Sequence, residues 1–135
     1  MTQTHSSLIA AAVAARLKAY APYSRFRVGA AVRDEHGAVH AGCNVENAAY
    51  PEGTCAEAGA IAAMILGGGR RIAEAAVVGA GDAPVTPCGG CRQKLREFGA
   101  PDLVIHVCDE KGNIRRRFTL AELLPESFGP ENLTA

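Results

Sequence analysis

Apolar positions along the chain fall into short blocks separated by glycine, proline and charged residues. The longest block, Leu8 to Ala15, is closed by Arg16, and its helical pattern continues to Tyr20. It predicts an amphipathic first helix, capped by Ser6 or Ser7, that runs to about Ala19 and is broken at Ala21-Pro22-Tyr23-Ser24. Phe26–Arg33 and Ala38–Cys43 read as two strands joined by the turn Asp34-Glu35-His36-Gly37, a hairpin. Residues 44–54 follow neither the helical nor the strand period and form a loop rich in hydrogen-bonding groups. A second helix runs from Cys55 to about Leu66, with Thr54 as its cap, and the run Gly67-Gly68-Gly69 stops it. A short buried strand at Ala75–Gly79 and a loop at Ala83–Pro87 lead to a third helix from Cys88 to about Phe98-Gly99. Leu103–Cys108 and Ile114–Phe118 are strands joined by the turn 109–113. A short helix at Leu120–Leu124 and a tail containing proline and glycine end the chain. The order α-β-β-α-β-α-β-β predicts a mixed sheet covered by helices on both faces. No repeat, linker or second domain interrupts it.

Size and charge narrow the picture. With 135 residues and an apolar fraction of 48%, the chain can build a core without disulfide staples. Lys and Arg together number 14, as do Asp and Glu, so the formal charge is zero. Proteins that grip a nucleic-acid backbone carry a basic excess because neutralising phosphates supplies much of their affinity. None is present here, and no nucleic-acid partner is expected. The dense basic run Arg115-Arg116-Arg117 reads as a solvated strand or an intersubunit patch. The apolar block at Leu8–Ala15 is too short to span a bilayer, and no Lys or Arg precedes it as in a signal peptide. No membrane partner is expected, and a cytoplasmic location is. Five cysteines in that reducing setting point to metal binding or catalysis before disulfides.

The cysteines are placed to do chemistry. Cys55-Ala56-Glu57 and Pro87-Cys88-Gly89-Gly90-Cys91 each lie where the chain enters a helix. The first helical turn has unpaired amides and a partial positive charge, which favours thiolates. Three thiolates converging from two helix starts suit zinc, one ion per chain. Three protein ligands leave a fourth position open, as in catalytic rather than structural zinc sites. Glu57, two residues after the first ligand, is better placed as the acid–base group than as a ligand. A ligand, then Glu two residues on, then Pro-Cys-x-x-Cys is the general signature of zinc deaminases. Cys43 and Cys108, at strand ends, read as small buried hydrophobes. A closed site formed by Cys43, Cys55, Cys88 and Cys91 is the competing arrangement, but it would leave Glu57 idle. His5, His36, His40 and His106 lack ligand spacing to the cysteines and read as structural or surface residues.

The match extends beyond the metal. Residues 22–31 (PYSRFRVGAA), 42–51 (GCNVENAAYP), 87–93 (PCGGCRQ) and 123–130 (LLPESFGP) resemble the small homotetrameric cytidine deaminases, and the likeness runs from about Leu8 to Leu133. It implies a single catalytic domain over residues 1–135, folded as a three-layer α/β/α sandwich on a five-stranded mixed sheet whose final two strands are antiparallel. It also implies hydrolytic deamination of cytidine and 2′-deoxycytidine in pyrimidine salvage, releasing ammonia, by a self-associated tetramer acting on a small pyrimidine nucleoside. By the same resemblance, Asn44 and Glu46 would hold the ribose 3′-hydroxyl, Phe26 would pack beside the ring and sugar, and the Ala56 amide would bind the pyrimidine carbonyl. Ala48, Tyr50 and Phe128 would reach the site from neighbouring subunits, Phe128 stacking on the base. One position departs from the family pattern. Where an Arg commonly follows the catalytic Glu and offsets the thiolate charge, this chain has Ala58. Arg92, next to Cys91, is the nearest cation in sequence that can take over that charge by bonding a thiolate; alternatively it faces a subunit interface and the two helix ends suffice.

Overall fold

A computed structural model describes the backbone of residues 2–134 and the side chains of residues 6–134; the side chain of His5 lies outside them. Five strands, β1 (Val28–Asp34), β2 (Val39–Cys43), β3 (Ile72–Gly79), β4 (Val104–Cys108) and β5 (Ile114–Thr119), form one sheet in the order β2-β1-β3-β4-β5. The β3–β4 pair is parallel and the other three pairs are antiparallel, including the final two strands. Four helices, α1 (Thr2–Arg16), α2 (Ala56–Leu66), α3 (Gly89–Phe98) and α4 (Leu120–Leu123), complete the regular structure of the described residues, with short 3-10 turns at Tyr50–Glu52 and Pro130–Leu133.

Strand alternation divides the core into two layers. Ala30, Val32, Ala75, Val77, Ile105 and Val107 face one side of the sheet, where Ala60, Ile61 and Met64 of α2, Leu95 of α3 and Leu120 of α4 pack on them. The intervening Ala31, Ala76, Val78 and Cys108 face the other side and meet Leu8, Ile9 and Ala12 of α1. The result is the expected α/β/α sandwich. Burial of Leu8 and Ile9 contributes about 1.5–3 kcal/mol each and is what seats α1.

Several boundaries differ from the sequence reading, for local reasons. α1 begins at Thr2, so Ser6 and Ser7 lie within the helix rather than capping it, and it stops at Arg16 in a turn instead of near Ala19. Thr54 does not cap α2. Its backbone pairs with Val45 in an isolated bridge, and Cys55 itself takes the extended cap conformation, φ −81° and ψ 161°. The cap of α3 is likewise Cys88. β3 starts three residues before the predicted Ala75, at Ile72, because it continues along Asp34 and Arg33 of β1 past the turn.

Two close backbone approaches set the position of the site. A Cβ added at Gly42 would lie 2.3 Å from the Ala60 amide nitrogen and 2.5 Å from the Ala56 carbonyl, so only glycine lets α2 rest on β2. At Gly29, a Cβ would fall 2.0 Å from the Ala12 carbonyl of α1. Both β2 and β3 run antiparallel to the strand between them, β1, and therefore point the same way. The helices that follow them, α2 and α3, consequently start at the same end of the sheet, the carboxyl end where α/β proteins collect their sites.

Candidate metal and nucleoside site

The shared end of the sheet brings three thiols together. Sγ atoms of Cys55, Cys88 and Cys91 all lie within 4.8 Å of one another, and Cys55 and Cys88 are 3.8 Å apart. Tetrahedral zinc with Zn–S bonds of about 2.3 Å needs sulfur atoms about 3.8 Å apart, so the donor set and spacing fit that metal. Cys43 is not in the group, which argues against the closed four-cysteine arrangement. Cys108 is buried under α1, as expected of a small hydrophobe.

Each cysteine has its own surroundings. Burial pushes the thiols of Cys55 and Cys91 up. Cys88 stays below its ordinary value: burial opposes its ionisation, but the Cys91 amide and the Cys91 and Cys55 thiols outweigh it. Caps α2 and α3 point their unpaired amides at this cluster, a fixed source of positive potential. Glu57, in the first turn of α2, is 5% exposed, and burial holds its carboxyl above the usual carboxylate range. The neighbouring Cys91 thiol and the charge of Lys94 on α3 act the other way, more weakly.

Arg92 does not take the role the sequence reading offered it. Its Nε donates to the Pro87 carbonyl at 2.7 Å, one terminal nitrogen to the Leu123 carbonyl at 2.8 Å, and the other to Thr86 Oγ1 at 3.2 Å. The guanidinium fastens the loop before α3 to the end of α4, and none of these bonds reaches a thiolate. Lys94, which the sequence reading did not single out, lines the same shallow hollow as Ala58 and is the cation whose charge bears on Glu57. Its helical place, three residues past Cys91, was the available signal.

Beside the thiols, residues 20–28 and 44–54 form a polar cradle. Asn44 Oδ1 accepts from the Val28 amide at 2.9 Å, and its Nδ2 donates to the Phe26 carbonyl at 2.8 Å. Glu46 Oε1 accepts from the amides of Tyr23 and Ser24 at 2.9 and 3.1 Å, and Ser24 Oγ donates to Oε2. Its carboxyl is held below the usual range, first by the Ser24 hydroxyl. Tyr23, Ser24, Glu46, Asn47, Tyr50 and Gly53 line a hollow of about 390 Å³. Tyr23 and Tyr50 meet edge to face with centroids 6.0 Å apart. Ala56, the first residue of α2, is fully buried.

The remaining residues named from sequence lie at the surface of one chain. Ala48 is exposed, Phe26 is 45% exposed, Tyr50 77% and Phe128 58%. Phe128 sits on a segment tied to α3: Gln93 donates to its carbonyl at 2.9 Å, and Arg96 binds Ser127 Oγ and pairs with Glu131. The three histidines with described side chains are structural or at the surface. His40 meets Asp34 at 2.8 Å, His106 is buried against Glu74 and Arg117, and His36 is exposed. Arg115 and Arg116 are likewise occupied, by the Asp82 carbonyl and the Phe118 ring. Among the described residues, no helix is long and apolar enough to cross a membrane.

Comparison with known proteins agrees with this geometry. The family model for the cytidine and deoxycytidylate deaminase zinc-binding region matches residues 2–107. A cytidine deaminase of Sporosarcina psychrophila is 42% identical over 127 residues, 94% of this chain and 93% of the relative. One from Mycobacterium tuberculosis is 47% identical over 116 residues, covering 85% and 82%. The crystal structure of cytidine deaminase from Burkholderia pseudomallei superposes with a TM-score of 0.85 at 46% identity, covering 92% of this chain and 98% of that one. With thiols and buried glutamate inside the matched region, the chain belongs to the cytidine deaminase family, whose zinc-binding region carries this cluster.

Proposed function

We propose that this protein hydrolyses cytidine and 2′-deoxycytidine to uridine and 2′-deoxyuridine with release of ammonia, as one catalytic domain spanning residues 1–135, in pyrimidine salvage in the cytoplasm. The observation that carries the reading is Glu57, buried in the first turn of α2 two residues from Cys55, beside a three-thiol cluster at two helix starts. Cys55, Cys88 and Cys91 would hold zinc, which when bound supplies the Lewis acidity that makes water a usable nucleophile near neutral pH. Glu57 takes a proton from the attacking water and delivers protons to the ring nitrogen and to the departing amine, which leaves as ammonia. The Ala56 amide, at the start of α2, donates to the pyrimidine carbonyl.

Sugar recognition follows from counting lone pairs and protons. A carboxylate offers about four acceptor sites, and three donors already occupy those of Glu46, leaving one on Oε2. Asn44 has used one of its two amide protons, on Phe26. One acceptor and one donor suit a single sugar hydroxyl, which the family resemblance identifies as the 3′-hydroxyl. Reliance on the 3′-hydroxyl, which both sugars carry, is the basis for proposing both as substrates, whereas a free base would leave these groups without partners. Purified protein given cytidine, 2′-deoxycytidine, cytosine and cytidine monophosphate should release ammonia from the first two. Ammonia from cytosine at the cytidine rate, or none from either nucleoside, overturns the assignment.

We further infer that the site is completed between identical subunits in a homotetramer, with Ala48, Tyr50 and Phe128 supplied by neighbours. The exposure of Tyr50 and Phe128 supports this, since contact with a neighbouring subunit would cover both aromatic rings. Phe128→Ala should raise KM by lost stacking, at a cost of about 1–3 kcal/mol on the scale of base–aromatic contacts. Light scattering that finds a fully active monomer contradicts the shared site.

A further inference from the structure

Outside the cysteine cluster, a set of interlocked polar contacts lies in the connection between α1 and β1. Four hydrogen bonds meet at Ser24 and Glu46. The amides of Tyr23 and Ser24 hold Oε1, Ser24 Oγ donates its proton to Oε2, and the same hydroxyl oxygen accepts from the Phe26 amide at 3.0 Å. Between them Arg25 adopts φ 59°, the left-handed region that a long side chain rarely enters. Such a conformation persists only where neighbouring contacts over-determine it.

The two amides would suffice to anchor the loop to Glu46, so the hydroxyl adds something else. A carboxylate's terminal torsion is broad and loosely held. Rotation about the bond that joins the carboxylate to its stem carries both oxygens together, and the two amides resist it at Oε1 alone. The Ser24 hydroxyl is the group that pins Oε2, and through its bond from the Phe26 amide it ties that oxygen to the residue carrying the Phe26 ring.

We infer that Ser24 is a positioning residue for nucleoside recognition, whose hydroxyl orients the Glu46 carboxylate so that the remaining lone pair on Oε2 faces the sugar hydroxyl, in register with Phe26. The inference rests on the reading of Glu46 as the partner of that hydroxyl. Ser24 itself touches no substrate, and its effect passes through Glu46.

The test compares cytidine with 3′-deoxycytidine, which lacks the hydroxyl in question, on the zinc-loaded parent and on Ser24→Ala and Ser24→Thr, with zinc content and oligomeric state measured alongside. The parent should prefer cytidine. Ser24→Ala should lose about tenfold of that preference, the scale of weakening one hydrogen bond to a charged group. The loss should fall mainly in KM for cytidine, with zinc content unchanged, and Ser24→Thr, which keeps a hydroxyl, should restore it. If Ser24→Ala lowers both substrates equally, or leaves their ratio at the parent value, Ser24 only stabilises the loop and the inference fails. A parent that does not distinguish the two substrates overturns the reading of Glu46 instead. Should Ser24→Ala not accumulate as folded protein, Ser24→Cys, close in size but a weak donor, carries the same comparison.

Discussion

Glu57→Gln should keep its zinc and its fold and lose activity on cytidine by about a thousandfold or more. A single acid–base group is worth about 10²–10⁴, and Glu57 serves several proton transfers within one turnover, which places the loss toward the upper end. The substitution is nearly isosteric. It keeps the side chain in a pocket where only 5% of the residue is exposed, so collapse of the surroundings does not explain a lost rate. Gln can still hydrogen bond but cannot take a proton from water. Metal analysis and kcat on the same preparation check the prediction. Activity within tenfold of the parent would remove Glu57 from the chemistry, and loss of zinc would make it a structural partner of the cluster.

Removing a thiol should have an effect as large for a different reason. Cys91→Ala should abolish zinc retention and with it activity, because two thiolates cannot replace a three-ligand site whose sulfur atoms lie within 4.8 Å of one another. Cys88→Ala should do the same. Cys43→Ala should retain one zinc per chain, since Cys43 stands outside the group. Zinc per chain after dialysis against a chelator distinguishes the arrangements. If Cys43→Ala loses the metal along with Cys91→Ala, the site has four protein ligands and no open position, and the hydrolytic reading fails. Cys108→Ala serves as the control, because its thiol is packed beneath α1 on the opposite face of the sheet.

What the sequence determined by itself was the list of elements and the chemical vocabulary of the site. The runs Phe26–Arg33 and Ala75–Gly79 read as strands, and the Cys-x-Glu and Cys-x-x-Cys spacings specify a soft metal site with a nearby carboxyl; both are short-range patterns that survive without a fold. Only the tertiary structure decided how these meet. That Cys55 and Cys88, 33 positions apart, come within 3.8 Å depends on β2 and β3 pointing the same way across β1, which no local pattern encodes. Thr54 illustrates the limit in the other direction. Its residue type favours a helix cap, but pairing with Val45 claims its backbone and leaves the cap to Cys55. Arg92 was the nearest cation in sequence, yet three oxygens arriving from α4 and the preceding loop hold its guanidinium away from the thiols. Lys94 and Ser24 became visible for the same reason. A side chain's electrostatic and hydrogen-bonding role depends on distances of a few ångströms between segments far apart in the chain, and those distances are set only when the sheet and its helices have packed.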